Sequence, residues 1–132
     1  MTEVQTTITP MLSVRDPVQA IQFYKDAFGA TEVYAHTVPD GSMYAEMVIG
    51  AASFEVTSEA AELGNLTPLA LGGTPVRLSL MVPDPDAVAE QAVAAGASII
   101  FPIADQPYGY RQGRIQDPFG HQWLIGKPLE SV

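Results

Sequence analysis

The chain has 132 residues, no cysteine and a formal net charge of −9. That length suits one domain able to bury a core without a staple. The lack of thiols excludes a disulfide framework, a cysteine nucleophile and a thiolate metal site, and the acidic balance argues against a nucleic-acid partner.

The opening MTEVQTTITP has neither the basic start nor the apolar run of a signal peptide, and no stretch approaches the length of a membrane span. A cytoplasmic protein with no membrane partner is expected. Ile8 to Val14 alternates and reads as a strand. Asp16-Pro17 then opens a helix, Asp16 as the cap and Pro17 in the first turn. Its apolar stripe is Ala20, Ile21, Tyr24, Ala27 and Phe28, and Gly29 stops it. Glu32 to Val38 reads as a strand, Pro39-Asp40-Gly41 as a hairpin turn, Ser42 to Ile49 as the return and Ser53 to Thr57 as a further strand. Residues 59–75, with three glycines, two prolines and several leucines, read as an irregular linker with one short helical turn that covers another part of the chain.

The same pattern then repeats. Val76 to Val82 is a strand, Asp84-Pro85 opens a helix with Val88, Ala89, Ala92, Val93 and Ala95 on its apolar face, and Gly96 ends it. Ser98 to Ile103 is a strand, Ala104 to Gly113 a loop rich in Gly and Tyr, and Arg114 to Gln116 a short return. Asp117-Pro118-Phe119-Gly120 is a turn before the last strand, His121 to Gly126. Val14, Asp16 and Pro17 recur as Val82, Asp84 and Pro85 at one constant spacing, and Gly29-Ala30 recurs as Gly96-Ala97. One β-α-β-β-β module is therefore used twice, at 7–58 and 76–127, with a pseudo-twofold relation between the copies. The fold class expected is α+β.

Strand side chains alternate between faces. One parity set, Ile8, Leu12, Val14, Phe54, Val56, Leu78, Leu80, Val82, Trp123 and Ile125, is apolar and should pack on the helices. The other, Thr9, Met11, Ser13, Ser53, Glu55, Thr57, Arg77, Ser79, Met81, Gln122 and Leu124, mixes hydroxyls, methionines, an amide and two opposite charges. A half-polar face of this kind fits the wall of a ligand cavity.

The repeat, together with AIQFYKDAFGA, PDG, LGGTPV and ADQPYGYRQGRIQDPFGHQW, resembles the vicinal-oxygen-chelate superfamily of glyoxalases, bleomycin-resistance proteins and extradiol dioxygenases, most closely its PhnB-like branch. The resemblance runs from about Ile8 to Ile125. It implies two modules forming a curved mixed sheet around a cavity, within a homodimer.

Metal-dependent members of that superfamily place four ligands on four strands. By the resemblance those positions fall on Thr9, Glu55, Arg77 and Leu124. Only Glu55 is a plausible ligand, since Arg repels a cation and Leu has no lone pair. His36 and His121 read as structural or surface residues. No metal or other cofactor, and no catalytic residue, is expected.

Glu55 and Arg77 should meet across the pseudo-twofold axis as an ion pair. Two roles are open to that pair, a ligand anchor or a structural filler of the vacated site. Thr9, Met11, Ser79, Met81, Gln122 and Leu124 complete the expected cavity wall. Tyr108 and Tyr110 form either a lid over it or part of a dimer contact, and Arg111 pairs with Asp105 or Asp117. The resemblance thus implies a metal-independent protein that binds a small molecule, such as an antibiotic or another aromatic ligand. The alternative it leaves open is a divergent metal-dependent lyase, isomerase or dioxygenase.

Overall fold

The computed structural model describes residues 3–130. It contains two β-α-β-β-β modules, each with its own mixed four-stranded sheet. The first holds β1 (Met11–Val14), α1 (Pro17–Phe28), β2 (Thr31–Thr37), β3 (Met43–Ile49) and β4 (Ala52–Ser58), in sheet order β1-β4-β3-β2. A 3-10 turn (Ala61–Leu63) and the short helix α2 (Pro68–Leu71) follow. The second module holds β5 (Arg77–Met81), α3 (Pro85–Ala95), β6 (Ser98–Asp105), β7 (Tyr110–Gln116) and β8 (Gln122–Pro128), in order β5-β8-β7-β6. In both sheets the first and last strands pair in parallel and the remaining pairs are antiparallel. The one curved sheet expected is thus two sheets, with no strand pairing between them.

The helix signals act alike in both copies. Asp16 Oδ1 accepts from the Gln19 amide at 3.1 Å, and Asp84 Oδ1 from the Ala87 amide at 3.2 Å. Each carboxylate satisfies one of the amides left free in a first turn. Gly29 ends α1 in the left-handed region at φ 68°, where a side chain would be strained.

Three sequence boundaries need correction. The first strand starts at Met11, not Ile8: Pro10 has no N–H to give a ladder, and Ile8 is 94% exposed rather than core. The stretch 104–113 is mostly strand. β6 runs to Asp105 and β7 begins at Tyr110, and Gly109 at φ 93° closes the tight hairpin between them. Composition hid this, because β6 is an edge strand whose register shifts tolerate Pro102. The last strand extends past Gly126 to Pro128.

The apolar parity set otherwise lies where expected. Leu12, Val14, Phe54, Val56, Leu80, Trp123 and Ile125 are buried, with Leu78 and Val82 partly so. Side chains from both sheets and from α1 form one core cluster. Tyr24 on α1 sits 5.2 Å from the Phe54 ring and 5.7 Å from Trp123, and Phe54 and Trp123 are 5.6 Å apart. The modules also meet through α1 and α3, where Gln91 Nε2 donates to the Asp26 carbonyl at 2.7 Å. The linker covers the β7–β8 turn, as its apolar content suggested. A Cβ on Gly120 would lie 2.8 Å from Pro68 Cβ, so only glycine permits that approach.

A buried polar cluster ties the modules together. Asp117 is 2% exposed and accepts from Tyr24 Oη at 2.5 Å and Trp123 Nε1 at 3.0 Å. Burial pushes the Tyr24 phenol well above its ordinary 10.0, and the Asp117 carboxylate pushes the same way. An unfolded chain ionises this tyrosine near pH 10 while the folded chain keeps its proton. The folded state then binds more protons, so stability is complete below about pH 10 and falls as pH rises further. Urea unfolding from pH 8 to 11 should show that decline, and Tyr24→Phe should flatten it. Among the described residues no helix is long and apolar enough to cross a membrane.

Candidate functional site

The core-side chains of both sheets converge on one interior, so the alternate chains of each sheet point out of it. That places the two mixed-polarity faces on the outside of the chain. Met11 is 56% exposed and Met81 44%.

The register assembles each face. On the first sheet Met11, Glu55, Glu46 and Tyr34 lie side by side across β1, β4, β3 and β2. The next row is Ser13, Thr57, Tyr44 and His36. Tyr34 and His36 rings are stacked 6.4 Å apart, and Tyr44 lies 5.8 Å from Tyr34. The neighbouring Tyr34 phenol raises the Tyr44 phenol, and Glu55 and Glu46 add to the shift. Two carboxylates directly opposite each other on neighbouring strands repel. With three rings beside them, they make this an acidic and aromatic surface.

On the second sheet the rows are Arg77, Gln122, Gln116 and Ser98, then Ser79, Leu124, Arg114 and Phe101, then Met81, Gly126, Gln112 and Ala104. This face carries two arginines and three amides. Arg114 Nη1 donates to Gln122 Oε1 at 3.3 Å, and its Cζ lies 5.2 Å from the Phe101 ring centroid. Arg114, Phe101, Gln106, Tyr108, Gln112 and Leu124 surround a cavity of about 280 Å³, with the Gly113 backbone. Tyr108 Oη donates to Gln112 Oε1 at 2.9 Å, which fixes the ring at its rim.

The expected residues are therefore distributed as follows. Glu55 and Met11 lie on the first face, and Arg77, Ser79, Met81, Gln122 and Leu124 on the second. Thr9 precedes β1 and is exposed. Tyr108 is in the β6–β7 turn, while Tyr110 is the first residue of β7 rather than a loop residue.

The Glu55–Arg77 ion pair is not formed. Among the described residues the ion pairs are Arg15–Glu59, Lys25–Glu32 and Arg111 with both Asp86 and Asp105. The two residues stand on separate outward faces, which is the physical reason. Arg111 bridges Asp105 as expected, with Asp86 in place of Asp117. His121 Nε2 lies 2.9 Å from the Ser13 carbonyl, a structural contact between the β7–β8 turn and β1. Glu46 and Arg114 were missed because parity was followed only on β1, β4, β5 and β8. The same alternation on β3 and β7 finds both.

The family model of the Glyoxalase/Bleomycin resistance protein/Dioxygenase superfamily matches residues 6–125. The chain belongs to this superfamily. It is 37% identical to an uncharacterised protein of Mycobacterium bovis, over 98% of this chain and 88% of that one. Among solved structures it is similar to a gene product of Arabidopsis thaliana, with 30% identity, a TM-score of 0.73, and coverage of 94% of this chain and 100% of that one. It is also similar to a glyoxalase/bleomycin resistance protein/dioxygenase family enzyme from Burkholderia phytofirmans, with 25% identity, a TM-score of 0.71, and coverage of 90% and 95%.

The superfamily's four metal positions do not fit a metal here. Thr9 is a hydroxyl outside the sheet, Glu55 a carboxylate, Arg77 a cation and Leu124 an alkyl group on the other face. Glu46 adds a second carboxylate beside Glu55, but the described residues contain no cluster of three metal-binding side chains. Such a donor set falls short of the three or four ligands that hold zinc or a related ion.

Proposed function

We propose that this superfamily member is a metal-independent small-molecule binding protein that works as a homodimer in the cytoplasm. The acidic, aromatic face of one chain would close over the basic, amide-rich face of a second. The observation that supports this most is the outward direction of both faces. Glu55 and Arg77 form no ion pair within the chain, whereas a twofold partner can bring them together twice, once at each of two cavities. Their opposite charges favour that docking and set its register.

The ligand class is aromatic. Tyr34, His36 and Tyr44 offer ring faces, and Met11 and Met81 offer adaptable apolar contacts. Sequestration of an antibiotic is the use consistent with this surface, and with a superfamily whose description includes bleomycin resistance. A thermal-shift screen over aromatic antibiotics and related compounds tests the reading. A ligand at 100 times its Kd should stabilise the fold by about 2.7 kcal/mol. A panel in which no compound shifts the transition would count against it.

A metal-dependent lyase, isomerase or dioxygenase is the competing reading, favoured by the Glu46–Glu55 doublet. Metal analysis of purified protein separates the two. A stoichiometric divalent ion lost in Glu55→Gln would support the enzyme.

A further inference from the structure

We infer that Arg114 is the anchor for an oxyanion, a carboxylate or phosphonate group carried by the ligand of the second face. This rests on the reading that the face binds a small molecule, and adds the chemistry of one end of that molecule.

Three observations carry it. First, Arg114 has no acidic partner among the described residues, in a chain with fifteen Asp and Glu against six Lys and Arg. Arg111, three residues earlier on the same strand, shows what a structural arginine does here: its Nε and Nη2 fork onto Asp86, and its Nη1 reaches Asp105 at 2.9 Å. Second, Arg114 Nε is buried and has no hydrogen-bond partner among the described residues. Among the described residues the side chain makes one hydrogen bond, the 3.3 Å contact of Nη1 with Gln122. A buried N–H without an acceptor is unfavourable, and the remaining guanidinium donors form the fork that takes a carboxylate or phosphonate in two parallel bonds. Third, the group is pre-positioned. Its Cζ lies over the Phe101 ring, 5.2 Å from the centroid, and the side chain forms part of the 280 Å³ cavity with Tyr108 and Leu124. Arg77 stands on the same face two strands away, and the strand rows of that face hold no Asp or Glu.

The cavity volume suits the head of a ligand whose aromatic body extends toward the opposing face.

Isothermal titration with benzoate, phenylphosphonate and the uncharged benzamide tests the inference on wild-type protein, Arg114→Gln and Arg114→Lys. Benzoate, phenylphosphonate or both should bind the wild type more tightly than benzamide does. That preference should fall about tenfold or more in Arg114→Gln, the weight of a lost charge-assisted hydrogen bond. Arg114→Lys should retain part of it, having the charge without the fork. The difference between the two anions identifies which oxyanion the site prefers. Both variants should keep the wild-type melting temperature, or exceed it in the glutamine case, because a buried unsatisfied donor is removed.

Equal binding of benzoate and benzamide to the wild type, or an oxyanion preference unchanged in both variants, overturns the inference while leaving the binding function standing. Failure of all three probes to bind overturns the inference and counts against the binding function as well.

Discussion

Asp117→Ala is expected to lower the unfolding free energy by about 3–5 kcal/mol. The carboxylate accepts four hydrogen bonds in a nearly closed environment. Oδ2 takes those of Tyr24 and Trp123, and Oδ1 takes the amides of Phe119 and His121, each at 3.0 Å. The first pair joins helix α1 of one module to strand β8 of the other, and the second pair shapes the Asp-Pro-Phe-Gly turn. Alanine would leave a phenol, an indole N–H and two amides without their acceptor, three of them in residues that are themselves buried. The group is held in the interior against the cost of burial, which pushes its carboxyl above the usual range despite the four donors. Asp117→Asn retains an acceptor oxygen and should lose about half as much. Urea denaturation followed by circular dichroism measures both. A loss under about 1 kcal/mol in the alanine variant would mean that the modules are not coupled through this group.

Gly113→Ala is the second large effect, about 3 kcal/mol in stability. A Cβ at this position would meet the Phe101 carbonyl oxygen at 2.6 Å and the Pro102 carbonyl carbon and Ile103 nitrogen at 2.7 Å. These are backbone atoms of the neighbouring strand, so relief requires β6 to move off β7 rather than a rotamer change. Phe101 would move with β6 and no longer lie under Arg114. The variant should therefore unfold at lower urea and also lose oxyanion affinity. Gly126, where a Cβ would lie 2.7 Å from the Arg111 carbonyl oxygen, should behave alike in stability. An unchanged urea midpoint in Gly113→Ala would show that β6 yields without cost.

The duplicated signals Asp-Pro and Gly-Ala made the modules legible in the sequence, because helix caps act locally and need no tertiary context. Parity sorted Leu12, Val14, Phe54, Val56, Leu80, Trp123 and Ile125 to the core for the same reason. Ile8 failed because alternation continued past Pro10 while the ladder did not. The Glu55–Arg77 pairing failed for a different reason. A pseudo-twofold repeat states that two modules are equivalent, but not whether they pack side by side or back to back. That choice is made by long-range contacts such as Tyr24 with Asp117 and Phe54 with Trp123, which have no sequence signature. Arg114 and Glu46 were legible in principle, since each falls on the outward parity of a β-strand.

The outward faces turn the missing ion pair into a prediction about assembly. Because the chain lacks cysteine, single cysteines introduced at Glu55 and Arg77 can be read without background. Equimolar Glu55→Cys and Arg77→Cys proteins, each folded alone and then mixed to exchange subunits, should be joined by a short bismaleimide into a covalent dimer. The double variant should likewise give interchain products. Closure of the double variant within one chain, with no covalent dimer from the mixture, would contradict a cavity shared between two subunits.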